Sequence, residues 1–236
     1  MKKAIKHLEP GEIFTFAGVR FVVLEHQDGG TMVLTEGKIG NSPFQSEDTE
    51  HPNDYSASTA KKKIDSFAAK LADDCGIEGA LIPFEVDLRP TDMSDTGYGE
   101  ITVLAAPLTL WQYGKYKSLI PLLDEWWWLA TPMWAPWRSP YCDSDGGSAL
   151  ALLVYSDGGW YGGYCSSSFA LRPALKLNSD LPVSVDGDGE EEDENCGECD
   201  NYNIDLSRIS TAKLLDELKN RIAGDLPTEE SGAERK

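Results

Sequence analysis

Asp186 to Asp200 is a run of fifteen residues with nine carboxylates and no basic side chain. Like charges at that density repel one another, and the run has almost no apolar surface to bury, so it cannot belong to a packed core. The folded body is therefore expected to span 1–185, with 186–206 an acidic linker. Residues 1–185 hold 24 acids and 15 bases, net −9, and residues 186–236 hold 16 and 6, net −10, which together give the whole-chain −19. Phosphate backbones are held by Lys and Arg, so a chain of this sign is not expected to bind nucleic acid. Membrane insertion is not expected either, because no apolar run approaches the roughly 18 residues of a spanning segment. The lysines of Met1 to Pro10 have no apolar stretch behind them, so no secretory signal is expected. With 41% apolar residues the whole chain has enough for a real core.

That body opens with three short apolar runs, Ile13–Phe16, Arg20–Glu25 and Thr31–Thr35. Glycines in both connections, Ala17-Gly18-Val19 and Asp28-Gly29-Gly30, permit tight hairpins, which predicts a β-meander. Residues 37–55, rich in Pro, Asn, Ser and acids, read as loop. From Ser58 the period changes: Ile64, Phe67, Ala68 and Leu71 form one helical stripe, with Gly76 as the stop. A second, short helix is expected to be capped by Thr109 and to run through Trp111 and Tyr113 towards Lys117. Beyond the linker, Leu214, Leu215, Leu218 and Ile222 share a face, which predicts a short amphipathic helix within 207–224, followed by a disordered tail at 225–236. Such a helix is marginal alone and should dock in cis, self-associate or attach to a larger particle.

The stretch 126–177 is the most unusual in composition. All seven tryptophans lie between 111 and 160, three of them consecutive at 126–128. From Arg138 to Leu175 there is no Lys, Glu, Gln or Met, although the rest of the chain uses Lys and Glu freely. Tyr, Ser, Gly and Asp dominate instead, the palette of antibody loops, where tyrosine supplies contact area with few rotors to freeze and Ser and Gly adapt around it. The Gly and Ser content predicts loops packed on a small sheet, with Ala149 to Tyr155 the one strand-like run. Consecutive strand residues face opposite ways, so at least one side of Trp126–Trp128 must bury.

The Trp126–Pro132 block, the Tyr155-Ser156-Asp157-Gly158-Gly159 turn and the Leu171-Arg172-Pro173-Ala174-Leu175 ending resemble the C-terminal half of C-type-lectin-fold variable proteins. These are diversified by the retroelements of phages and gut bacteria. Leu8 to Val19 is similar to the start of phage-borne members. The resemblance covers roughly 1–185 and implies an α+β, C-type-lectin-like fold with small antiparallel sheets, two helices and long loops. In that family a reverse transcriptase miscopies template adenines, and codons of the type AAC randomise to NNC. NNC encodes no Lys, Glu, Gln, Met or Trp, which matches the gap at 138–175 apart from Trp160; it does allow Asn and Thr, which are also absent there. The resemblance implies a framework of Trp126, Trp127, Trp128, Arg172 and Pro173, and a variable region at about 134–170. Its ligand-binding candidates are Arg138, Ser139, Tyr141, Asp143, Ser144, Asp145, Ser148, Leu150, Leu152, Tyr161, Tyr164, Ser166, Ser167 and Ser168, with Trp160 at the edge. Alternate spacing puts Ser148, Leu150 and Leu152 on one strand face, and for Leu150 and Leu152 core packing is the stronger competitor to display.

The expected function is binding of a variable protein or surface glycan on a host bacterium, with no chemical step, no cofactor and no metal. The expected location is a phage particle, or the bacterial cytoplasm before assembly. Two alternatives stay open. One is a non-variable phage structural protein. The other is a thiol- or copper-dependent oxidoreductase like the formylglycine-generating enzymes, which share the fold; it would rest on Cys142 and Cys165, 23 positions apart. His7, His26 and His51 all precede residue 52, with His26 expected to be exposed, and no nucleophile elbow, phosphate loop or His-Glu-x-x-His is present. Cys196 and Cys199 make half a zinc ribbon without a second pair, and Asp186-Gly187-Asp188-Gly189 lacks the later ligands of a calcium loop.

Overall fold

The computed structural model describes residues 2–91, 93, 97–133 and 150–185. The chain divides into two units, Met1–Glu190 and Glu191–Lys236, and every described residue belongs to the first. The linker, the C-terminal helix and the tail expected from the sequence lie outside the described residues.

The meander forms as its glycines suggest. With strands numbered in chain order, β2 (Ile13–Phe16), β3 (Val19–Gln27) and β4 (Gly30–Thr35) pair antiparallel, turning at Ala17-Gly18 and Asp28-Gly29. One flank is extended by β15 (Pro182–Val185) and β1 (Lys2–Ala4), so both ends of the body meet in one sheet. The other flank is β14 (Pro173–Leu177), which also pairs with β6 (Leu81–Ile82) and β9 (Ala105–Pro107). A second, five-stranded sheet runs in the order β12 (Trp160–Tyr164), β11 (Leu150–Val154), β10 (Trp127–Pro132), β13 (Ser168–Leu171), β5 (Gly40–Pro43). Only β10 and β13 are parallel in it. A separate hairpin joins β7 (Phe84–Asp87) to β8 (Glu100–Val103). The described residues are thus α+β, with mostly antiparallel, curled sheets and two α-helices.

Helix α1 (Thr59–Cys75) starts where Ser58 accepts the Lys61 N–H at 3.0 Å and ends at Gly76, whose φ of +60° suits a residue without a Cβ. It buries Ile64, Ala68 and Leu71. Helix α2 (Leu110–Tyr116) opens with a reciprocal capping box between Thr109 and Gln112. Two apolar cores result. The first takes Ile64, Ala68 and Leu71 of α1 together with Phe14, Phe21, Phe44 and Trp128. The second takes Tyr113 and Tyr116 of α2 together with Leu34, Trp127 and Leu152.

Two expectations are corrected. Residues 37–55 are not loop throughout: Gly40–Pro43 is a strand, because β13 supplies a ladder from Ser168↔Pro43 to Leu171↔Gly40 that no local pattern announces. The Gly- and Ser-rich stretch after residue 149 is not mainly loop either. It forms β11, β12, β13 and β14 in succession, with glycines used inside a strand as well as at turns.

Candidate functional site

Trp127 and Trp128 fix the sheet that carries the candidate residues. Facing opposite ways from β10, they are 2% and 0% exposed and enter different cores. The Trp128 ring meets Phe44 and Phe169 at 5.3 and 5.0 Å between centroids, and its Nε1 donates to the Ser42 carbonyl at 2.9 Å. Trp127 meets Tyr113 edge-on at 5.7 Å. Trp126 is different: it lies against Tyr155 and Phe169 but remains 44% exposed.

From this platform β11 runs out and returns as β12 through a tight turn. Gly158 takes a φ of +77° there, its N–H donates to the Tyr155 carbonyl at 2.9 Å, and Tyr113 Oη donates to its carbonyl at 2.8 Å. The turn is thereby tied to α2. Register then fixes the faces of β12. Trp160, Gly162 and Tyr164 pair with Val154, Leu152 and Leu150, while Tyr161 and Gly163 pair with Leu153 and Ala151. Paired residues share a face. Trp160 (48% exposed) and Tyr164 (66%) therefore flank one side of the outermost strand and Tyr161 (59%) the other. The three rings thus flank both sides of one edge strand. Between them Gly163 is buried, with Leu153, Phe169 and Trp128 directly above its Cα.

Leu152 is corrected outright. At 0% exposure it belongs to the second core and offers nothing to a ligand, because the face it shares with Val154 is the one that packs on Trp127. Leu150 is half-buried. Ser166 and Ser168 are exposed and Ser167 half-buried, in and just after a turn closed by Ser167 N–H donating to the Tyr164 carbonyl at 2.8 Å. Arg138, Ser139, Tyr141, Asp143, Ser144, Asp145 and Ser148 lie outside the described residues.

Three residues missed by sequence reasoning join the described strands β10 and β11 at their ends. The Met133 N–H donates to the Leu150 carbonyl at 3.1 Å, so residues 133 and 150 are bonded directly. Thr91 Oγ1 donates to the Met133 carbonyl at 2.7 Å, and Asn53 Nδ2 donates to that of Leu150 at 3.3 Å. Asn53, fully buried, also accepts Tyr98 Oη at 2.8 Å. Nothing local marks Asn53 or Thr91 in the sequence, since each acts on a backbone group far along the chain. Arg172, expected as framework, is fully buried and donates to the carbonyls of Thr35, Glu36 and Pro121.

The chemistry of the described residues is sparse. Cys165 is 1% exposed, and burial pushes its thiol well above the ordinary thiol range, which disfavours the thiolate that redox or copper chemistry needs. Cys142 lies outside the described residues. His26 is exposed, as expected, yet both its nitrogens are engaged: Nε2 donates to the Leu8 carbonyl at 2.7 Å, and Nδ1 lies 2.9 Å from Thr31 Oγ1. Among the described residues no group of three or more His, Cys, Asp or Glu is placed to hold a metal, and no helix is long and apolar enough to cross a membrane. No family model, curated protein or solved structure matches the chain.

Proposed function

We propose that this chain is a ligand-binding display protein of the C-type-lectin-fold variable type, diversified by a retroelement and carried by a phage or prophage. The observation that supports this reading best is the exposure of Trp160, Tyr161 and Tyr164 on an edge strand whose neighbours are anchored by buried tryptophans. Large amphipathic rings with two rotors each lose little entropy on contact, and nearby Ser166 and Ser168 supply adaptable hydrogen bonds. The ligand is a protein or glycan on a host bacterium, held without a chemical step, and the protein works as part of a phage particle.

Two observations test this. In the source genome, a template repeat beside a reverse-transcriptase gene should differ from the coding region for 138–168 mainly at adenines; a complete genome without one counts against diversification. At the protein level, the double variant Tyr161→Ala, Tyr164→Ala should lose adhesion to the host cell while its melting temperature stays within about 2 °C, as for exposed side chains outside the core. Undiminished adhesion, or collapse of the whole body, would overturn the display role of β12.

A further inference from the structure

A groove of about 420 Å³ opens where the β2–β3 turn, the chain following β4 and helix α1 meet, away from the strand discussed above. That volume lies within the range of small-molecule sites. Val19, Ile39 and Phe67 make its apolar wall, each only partly buried against the first core. Thr35 also lines it, is 1% exposed, and its Oγ1 meets no hydrogen-bond partner. Thr35 pairs with Phe21 across the ladder, two residues from Val19, so the hydroxyl and the Val19 side chain share one sheet face. The backbone of the same residue is satisfied separately: Arg172 Nε donates to the Thr35 carbonyl at 2.8 Å. Buried polar atoms almost always have a partner. Thr35 Oγ1 lacks one and sits just beneath the wall of an open groove, which leaves a hydrogen bond for a partner that enters the groove.

The rim sets the chemistry of that partner. Arg20 pairs with Glu36 at 2.8 Å and Lys38 pairs with Glu125, so the cations of the groove are matched by carboxylates of the protein. The body around them carries net −9 and repels an anion. We infer that the groove binds a small uncharged molecule with a ring, which packs on Val19, Ile39 and Phe67, and one hydroxyl or carbonyl oxygen, which pairs with Thr35 Oγ1. The half-buried walls yield to let that oxygen reach the hydroxyl.

The test uses the full chain with 2-naphthol as probe and naphthalene as the matched molecule without the hydroxyl, read by methyl NMR. 2-Naphthol should shift the Val19, Thr35 and Ile39 methyls saturably and bind about tenfold more tightly than naphthalene, the worth of one hydrogen bond. Thr35→Val keeps the side-chain shape and should abolish the difference, whereas Thr35→Ser should keep it. Phe67→Ala, on the helix, should weaken both probes alike. Absence of saturable shifts at those methyls, or undiminished 2-naphthol preference in Thr35→Val, overturns the site.

Discussion

The guanidinium of Arg172 lies over the ring of Trp127, 5.4 Å from its centroid, at the centre of the platform that carries the candidate site. Among the described residues no carboxylate bonds it directly. Its Nε, Nη1 and Nη2 reach the carbonyls of Thr35, Pro121 and Glu36 at 2.8, 2.8 and 2.6 Å, joining the end of β4 to the segment before β10. Burial pushes its pKa down to about 10, so the charge persists at neutral pH and the three carbonyls offset the cost of desolvating it. A lysine cannot present three donors in a fixed fork. Arg172→Lys should therefore cost about 2–4 kcal/mol, by the lost bonds and the carbonyls left bare. Calorimetry of the two proteins checks this, and a loss below about 1 kcal/mol would show that the carbonyls find water instead.

Glu25 links β3 to α2 and should shape the acid limb of stability. It accepts from Gln27 Nε2 at 2.9 Å, Lys115 Nζ at 2.7 Å and Tyr116 Oη at 2.7 Å, and these bonds, Gln27 first, hold its pKa down from 4.5 to about 2. A carboxyl whose folded pKa lies below its unfolded one stabilises the fold fully above pH 4.5 and loses that contribution as the pH falls towards 2. Glu25→Gln should be less stable at pH 7 and should flatten the wild-type decline between those values. Urea unfolding across that range measures it. Parallel pH curves for the two proteins would mean that the bonds do not persist in solution.

Local signals carried the parts of this fold that local forces decide. Ser58 and Gly76 bracket α1 because capping is a matter of adjacent backbone groups, and the same holds for Thr109 with Gln112. The meander was legible because its apolar runs alternate between two glycine turns. Gly40–Pro43 was not, since a polar segment becomes a strand only when β13 lies beside it. Trp160-Tyr161-Gly162-Gly163-Tyr164 misleads for a related reason: two central glycines suggest loop, yet Gly163 is there to admit the Trp128 and Phe169 rings. The exposure of Tyr161 and Tyr164 followed from the palette, but the burial of Leu152 required knowing which face of β11 meets Trp127.

The β2–β3 hairpin contains strain that can be removed. Phe16 and Val19 are paired, and between them Ala17 and Gly18 have φ of +46° and +75°, positive at both central positions. That turn matches the twist of the strands, but it forces a Cβ at Ala17 into the left-handed region. Ala17→Gly should raise stability by about 0.5–1 kcal/mol, the relief exceeding the entropy glycine adds to the unfolded chain. Ala17→Val should lower it by more than about 1 kcal/mol, because a branched Cβ is worst placed there. Urea midpoints at constant slope read both changes. A glycine variant weaker than wild type would show that the half-buried methyl matters more than the strain.

Gly163 and Tyr164 are adjacent, and the architecture assigns them opposite tolerances. A Cβ on Gly163 would lie 2.4 Å from Leu153 Cδ2 and 3.2 Å from both Phe169 Cε2 and Trp128 Cη2, with Leu153 and Trp128 fully buried and Phe169 packed against them. Gly163→Ala must displace the Leu153 side chain or push β12 away from β11, with the Phe169 and Trp128 rings crowded as well, and should cost about 1–3 kcal/mol, as overpacking does. Tyr164, 66% exposed, loses almost no packing when truncated, so Tyr164→Ala should stay within about 0.5 kcal/mol of wild type. Binding should respond differently from stability. Loss of the Tyr164 ring removes contact area from the strand edge directly, while Gly163→Ala disturbs Trp160, Tyr161 and Tyr164 together by moving the strand that carries them. Paired denaturation curves and adhesion measurements on these two variants separate the platform from what it presents. Equal destabilisation by both would place Tyr164 in the core and remove it from the proposed ligand surface.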